Sequence, residues 1–156
     1  MTRQRGVVLL LALVMSLLLG LLAASALTHA QQEARMTRVL GEGLKGFEQA
    51  EETLSVAAAR LPVTLPGVCN GCQPPKHPHR LLGQWHATPS GYFQVQNLGM
   101  STRATHLSDQ PATLVRVTAV SRQVENRQVL EAVYALPTAQ AQAPQRLLWR
   151  QRPRED

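Results

Sequence analysis

The sequence predicts an α+β protein in which a long N-terminal helix, transmembrane in its first half and amphipathic in its second, packs on a small antiparallel β-sheet head. Three observations carry this. Residues 7–27 hold no charged side chain, apolar positions recur at helical spacing from Met36 to Leu61, and three stretches after Pro89 are β-rich, with apolar and polar residues alternating.

The run Val7–Leu27 contains nothing more polar than Ser16 and Ser25. As a helix it would measure roughly 31 Å, about the hydrocarbon thickness of a bilayer, so it predicts a single transmembrane pass. Arg3 and Arg5 on the short N-terminal flank hold that end in the cytoplasm and place the rest of the chain outside it. A cleaved secretory signal would use Ala24-Ser25-Ala26 as its small-residue site, but its apolar segment runs to about 15 residues, shorter than this one. An uncleaved anchor is the second reading.

Past the anchor, Met36, Val39 or Leu40, Leu44, Phe47, Ala50, Leu54, Ala57 or Ala58 and Leu61 follow one another at intervals of three and four, the spacing of one buried helix face. Pro62 ends the helix, because the residue before a proline is pushed out of α geometry. One helix from Val7 to Leu61 results. Gly41, Gly43 and Gly46 each cost about 1 kcal/mol of helix propensity against alanine, and bending or local melting is expected there.

Residues 62–90 change character. Pro62, Pro66, Pro74, Pro75, Pro78 and Pro89 make an irregular loop, and inside it lies Cys69-Asn70-Gly71-Cys72, followed closely by His77 and His79. These are the only two cysteines of the chain, the compartment is oxidising, and Asn70-Gly71 favours a tight turn, so a Cys69–Cys72 disulfide is one reading. A metal site of Cys69, Cys72, His77 and His79 is a second reading, and free thiols are a third.

The strands are expected at 91–98, 113–120 and 128–136, the last two joined by a polar hairpin at 121–127. His106, Ser108 and Asp109 fall between the first two strands, yet no nucleophile motif accompanies them and no enzyme is expected. Arg146, Arg150, Arg152 and Arg154, with Trp149 among them, read as a solvated tail over 138–156 more readily than as a nucleic-acid patch. About 125 residues outside leader and anchor suffice for one small domain.

The segment Arg5-Gly6-Val7-Val8-Leu9 with the leucine-rich run behind it, then Gln32-Glu33-Ala34-Arg35-Met36, then Phe47-Glu48-Gln49-Ala50-Glu51, resembles the N-terminal region of PilX-type minor pilins of type IV pili. The resemblance covers about the first third of the chain. Val115-Arg116-Val117-Thr118-Ala119 and Val129-Leu130-Glu131-Ala132-Val133-Tyr134 resemble that family's closing strands. It implies a pilin-like fold, a prepilin leader at 1–6 cut by a prepilin peptidase between Gly6 and Val7, and an apolar helix that packs against other minor and major pilins. The implied function is initiation of pilus assembly at or near the fibre tip, in support of adhesion and twitching motility. The implied partners are those pilins and the inner-membrane assembly platform, with neither cofactor nor nucleic acid. The protein would sit in the bacterial inner membrane, C-terminal domain in the periplasm, and then in the surface pilus. Most pilins carry glutamate where this chain has Leu11, and phenylalanine or methionine where it has Val7, a departure that fits a tip subunit. A minor pseudopilin of a type II secretion system shares the same features, and a single-pass cell-envelope binding protein is the reading without the leader.

Overall fold

The computed structural model describes residues 3–104, 111–137 and 143–154, the first four of them by backbone alone. A single helix, α1 (Arg3–Arg60), is followed by β1 (His86–Ala87), β2 (Gly91–Ser101), β3 (Ala112–Ser121), β4 (Val129–Pro137) and β5 (Gln145–Arg152). The five strands form one antiparallel sheet in the order β1-β2-β3-β4-β5, so every connection joins neighbours. The chain divides into two compact units, Met1–Gly41 and Glu42–Asp156.

The first unit is helix alone. From Val7 to Leu27 its large apolar side chains are between 44% and 74% exposed. The hydroxyl of Ser16 donates to the Ala12 carbonyl at 2.9 Å and that of Thr28 to the Ser25 carbonyl at 2.7 Å. These two hydroxyls are thereby satisfied inside the helix, which lowers the cost of placing them in an apolar medium. The helix is long and apolar enough to cross a membrane.

In the second unit the last turns of α1 lie against one face of the sheet. Ala50, Leu54 and Ala57 from the helix and Leu61 directly after it meet Phe93, Val115, Val117, Ala119, Leu130, Ala132 and Tyr134 from the strands, and all eleven are buried. The strand residues alternate as the pleat requires, Val115, Val117 and Ala119 on β3 standing beside Tyr134, Ala132 and Leu130 on β4. At about 25 cal/mol per Å² of apolar surface, this interface is the main source of the head's stability. The approach is closest at Gly91. A Cβ there would sit 2.1 Å from the Val120 carbonyl oxygen and 2.7 Å from Thr53 Oγ1. Thr53 itself is buried, its hydroxyl 2.8 Å from the Gln49 carbonyl and 3.3 Å from Thr88 Oγ1.

Four expectations are corrected. Burial of the helix begins only at Gly46, and Met36, Val39, Leu40 and Leu44, expected on the buried face, are exposed. Helical structure runs unbroken through Gly41, Gly43 and Gly46, so there is no local melting. Gly46 has a packing reason: a Cβ would meet the Asn126 carbonyl oxygen at 2.9 Å. The sheet has five strands, not three, since His86–Ala87 inside the proline-rich segment pairs with Tyr92 and Phe93. The arginine-rich stretch is no solvated tail: Gln145–Arg152 pairs with β4 from Ala135 to Val129.

Candidate functional site

Two regions carry the residues singled out by the sequence, the apolar helix and the loop on the outer face of the sheet. Val7, Leu11 and Leu27 all lie on the exposed apolar run, Leu11 at 59% exposure. Gly6 and Val7 are both helical. His106, Ser108 and Asp109 lie outside the described residues.

Of residues 62–90, the part from Cys72 to His79 lies on the sheet face opposite α1. Val68 bridges to Asn97, and the Cys69 amide donates to the Asn97 carbonyl at 2.9 Å. This docking coincides with a bulge in β2 between Asn97 and Gly99, where Gly99 takes φ +93°, a conformation glycine adopts without strain. The freed Asn97 side chain donates to the Pro66 carbonyl and accepts from the Gly99 amide, both at 3.0 Å. Cys69 and Cys72 form a disulfide pair with Cα atoms 5.7 Å apart, closed by Gly71 at φ +73°. His77 and His79 do not join them: among the described residues no three His, Cys, Asp or Glu side chains come together as a metal site.

Beyond the disulfide the loop is held by arginines. Arg116 Nη1 donates to the Cys72 carbonyl at 3.3 Å and to Gln96 Oε1 at 3.1 Å, Arg152 Nη1 to the Pro75 carbonyl at 2.7 Å, and Arg127 Nη1 to the His79 carbonyl at 2.6 Å. Two of these guanidiniums, those of Arg116 and Arg152, gather with that of Arg150 around one carboxylate. Glu131 stands on β4 with only 6% of its side chain exposed, and Arg150 reaches its Oε1 at 2.7 Å (Nη2) and 3.0 Å (Nε). Arg116 and Arg152 stand 3.8 Å from the two carboxylate oxygens. A buried acid is tolerable only when so compensated.

On the helix side, β5 is tied down by a second set of contacts. Arg146 Nη1 meets Glu51 Oε1 at 2.7 Å, Trp149 Nε1 donates to Glu51 Oε2 at 3.3 Å, and the Trp149 ring packs edge-on against Phe47 at 6.1 Å. The bond to Glu51 raises the Arg146 pKa further. Burial pushes the Tyr134 phenol above its ordinary value, although Arg146 beside it pulls the other way.

Sequence reasoning missed Glu131, Arg116 and Arg152 as a cluster. The available signal was charge at Arg116 and Glu131 in otherwise apolar strands, on the face opposite Val115, Val117, Leu130 and Ala132. Such residues need partners, and the three arginines supply them.

Helix and head together define an α+β protein: a helix able to cross a membrane at the N-terminal end and an antiparallel sheet at the C-terminal end. No protein-family model, no curated protein and no solved structure matches the chain.

Proposed function

We propose that the protein is a PilX-type minor pilin that helps initiate assembly of a type IV pilus and stays at or near its tip. The observation that carries the reading is the run Val7–Leu27, apolar on every side and exposed along its length. Such a helix is stable in lipid before assembly, and equally among other apolar helices in a fibre core. Arg3-Gln4-Arg5-Gly6 directly before it supplies the leader, cut after Gly6 by the prepilin peptidase.

Leu11 specifies the place in the fibre. In other pilins the acid at this position is thought to pair with a neighbour's amino terminus, and an acid left unpaired in apolar surroundings is costly. A subunit with no neighbour above it gains nothing from that acid. The head is then presented outward, in support of adhesion and twitching motility.

An epitope tag after Asp156 and immunogold labelling of sheared filaments test this. Label at one end, with few copies per fibre, is the expected result. Label spaced along the shaft would refute the tip assignment, and unlabelled filaments with the tag retained in the membrane would refute the pilin reading.

A further inference from the structure

The cations that clamp the loop do not exhaust its charge. Between the disulfide and β1 the chain Lys76-His77-Pro78-His79-Arg80 folds into a 3-10 turn, and Pro153-Arg154 at the end of β5 closes against it. Between them is a cleft of about 210 Å³, walled by Lys76, His77, His79 and Arg80 on one side and by Pro153 and Arg154 on the other. No described carboxylate lines it. Among the described residues, no hydrogen bond or ion pair occupies the side chain of Lys76, His77, Arg80 or Arg154.

Two further features point the same way. Both ring nitrogens of His79 are buried without a hydrogen bond of ordinary geometry, although the Pro153 carbonyl stands close enough to favour the protonated ring. The backbone beneath the cleft is fixed from several sides: Arg127 holds the His79 carbonyl, Arg152 the Pro75 carbonyl, and the Leu81 amide donates to the Pro78 carbonyl at 3.1 Å. The cations are therefore assembled in advance, with repulsion among them unrelieved. An anion relieves it.

We propose that this cleft binds a phosphate monoester. A carboxylate offers two oxygens and one charge to cations arriving from two chain segments. A phosphate monoester offers three terminal oxygens and, above its second pKa near 6, about two charges. Guanidiniums at Arg80 and Arg154 match it in planar, paired fashion, Lys76 as a point charge, and the buried His79 ring donates its proton.

Binding is coupled to pH through His79. Burial holds its pKa below 6.5, with Arg154, Arg127 and Arg152 pushing the same way and the Pro153 carbonyl opposing them. Lys76 and Arg80 add positive charge from its own turn. A bound dianion reverses the balance, so the ring takes up a proton on binding.

The test uses the full chain in phosphatidylcholine nanodiscs, with imidazole nitrogen resonances followed during titration with inorganic phosphate at constant ionic strength. Expected are a saturable shift of His79 and a rise in its pKa on binding. The double variant R80Q/R154Q, at two exposed positions, should lose at least tenfold in affinity with its unfolding midpoint unchanged. Glu155 and Asp156 follow Arg154 in the sequence, and E155Q/D156N should bind as tightly or more so. Adding phosphatidic acid to the disc distinguishes the sources: competition with inorganic phosphate identifies a lipid headgroup, an unchanged titration a soluble ligand. No saturable shift in either the native chain or E155Q/D156N, or the same response to chloride, would overturn the proposal.

Discussion

Replacing Glu131 by glutamine isolates the device that holds the loop to the sheet. The substitution keeps the shape of the side chain and one acceptor oxygen but removes the charge that faces Arg116, Arg150 and Arg152. Removing one partner of a buried ion pair costs about 3–5 kcal/mol, because the other charge is left uncompensated. That figure needs discounting here. The Arg150 side chain is 58% exposed and will rehydrate, so its loss is that of a surface pair, below about 1 kcal/mol. Arg116 and Arg152, at 17% and 13% exposure, stay buried, but each keeps a backbone carbonyl as second acceptor, Cys72 and Pro75 respectively. A net cost of about 2–3 kcal/mol follows. For the unit Glu42–Asp156 that corresponds to a fall of about 10 °C in unfolding midpoint. Thermal and denaturant unfolding of the detergent-solubilised full chain, followed by tryptophan fluorescence, gives the stability. Tryptic cleavage after Lys76 and Arg80 gives the state of the loop, and should be faster in the variant. A change within about 0.5 kcal/mol, the range of an ordinary surface substitution, with unaltered proteolysis, would refute the idea that Glu131 organises the clamp.

Three further outcomes follow from the same structure. Leu54→Ala, at a fully buried position where α1 meets the sheet, should cost about 3 kcal/mol in denaturant unfolding, and a cost under about 1 kcal/mol would mean the helix does not dock there. The double change C69S/C72S opens a four-residue loop and should cost about 2 kcal/mol, read as a lower denaturant midpoint, with the thiols of the native chain inaccessible to labelling until reduced. Because the folded pKa of His79 lies below 6.5, the unfolded chain binds the extra proton first, so in phosphate-free buffer stability should decline as pH falls through about 6.5 toward the folded pKa. His79→Gln should flatten that limb of the pH profile.

Much of the fold was legible because it follows from periodicity. An uncharged run from Val7 to Leu27 admits few readings, Pro62 fixes the helix end within a residue or two of Arg60, and alternation in 91–98, 113–120 and 128–136 placed the three central strands. The fifth strand was hidden by its composition. Gln145-Arg146-Leu147-Leu148-Trp149-Arg150-Gln151-Arg152 looks solvated, but it is an edge strand, where charge is tolerated and guards against stray pairing. Its arginines also have long-range partners, Glu51 and Glu131, that no local pattern reveals. The buried stripe was overextended for a similar reason: Met36, Val39, Leu40 and Leu44 have helical spacing, but spacing cannot say whether the cover comes from the same chain. The cysteine pair was legible from its Asn-Gly spacer, while the loop's docking depended on a bulge at Gly99 and on arginines distant in sequence.

The mature N-terminus tests the central claim most directly. The full-length chain, purified from cells that make it, should give Val7 as its first residue, with Gly6→Val blocking the cut and leaving Met1 or Thr2 in place. A first residue of Leu27, after Ala24-Ser25-Ala26, would mean that the apolar run is a secretory signal and is lost. An unprocessed native chain would mean an ordinary anchor. Either result would contradict the pilin account.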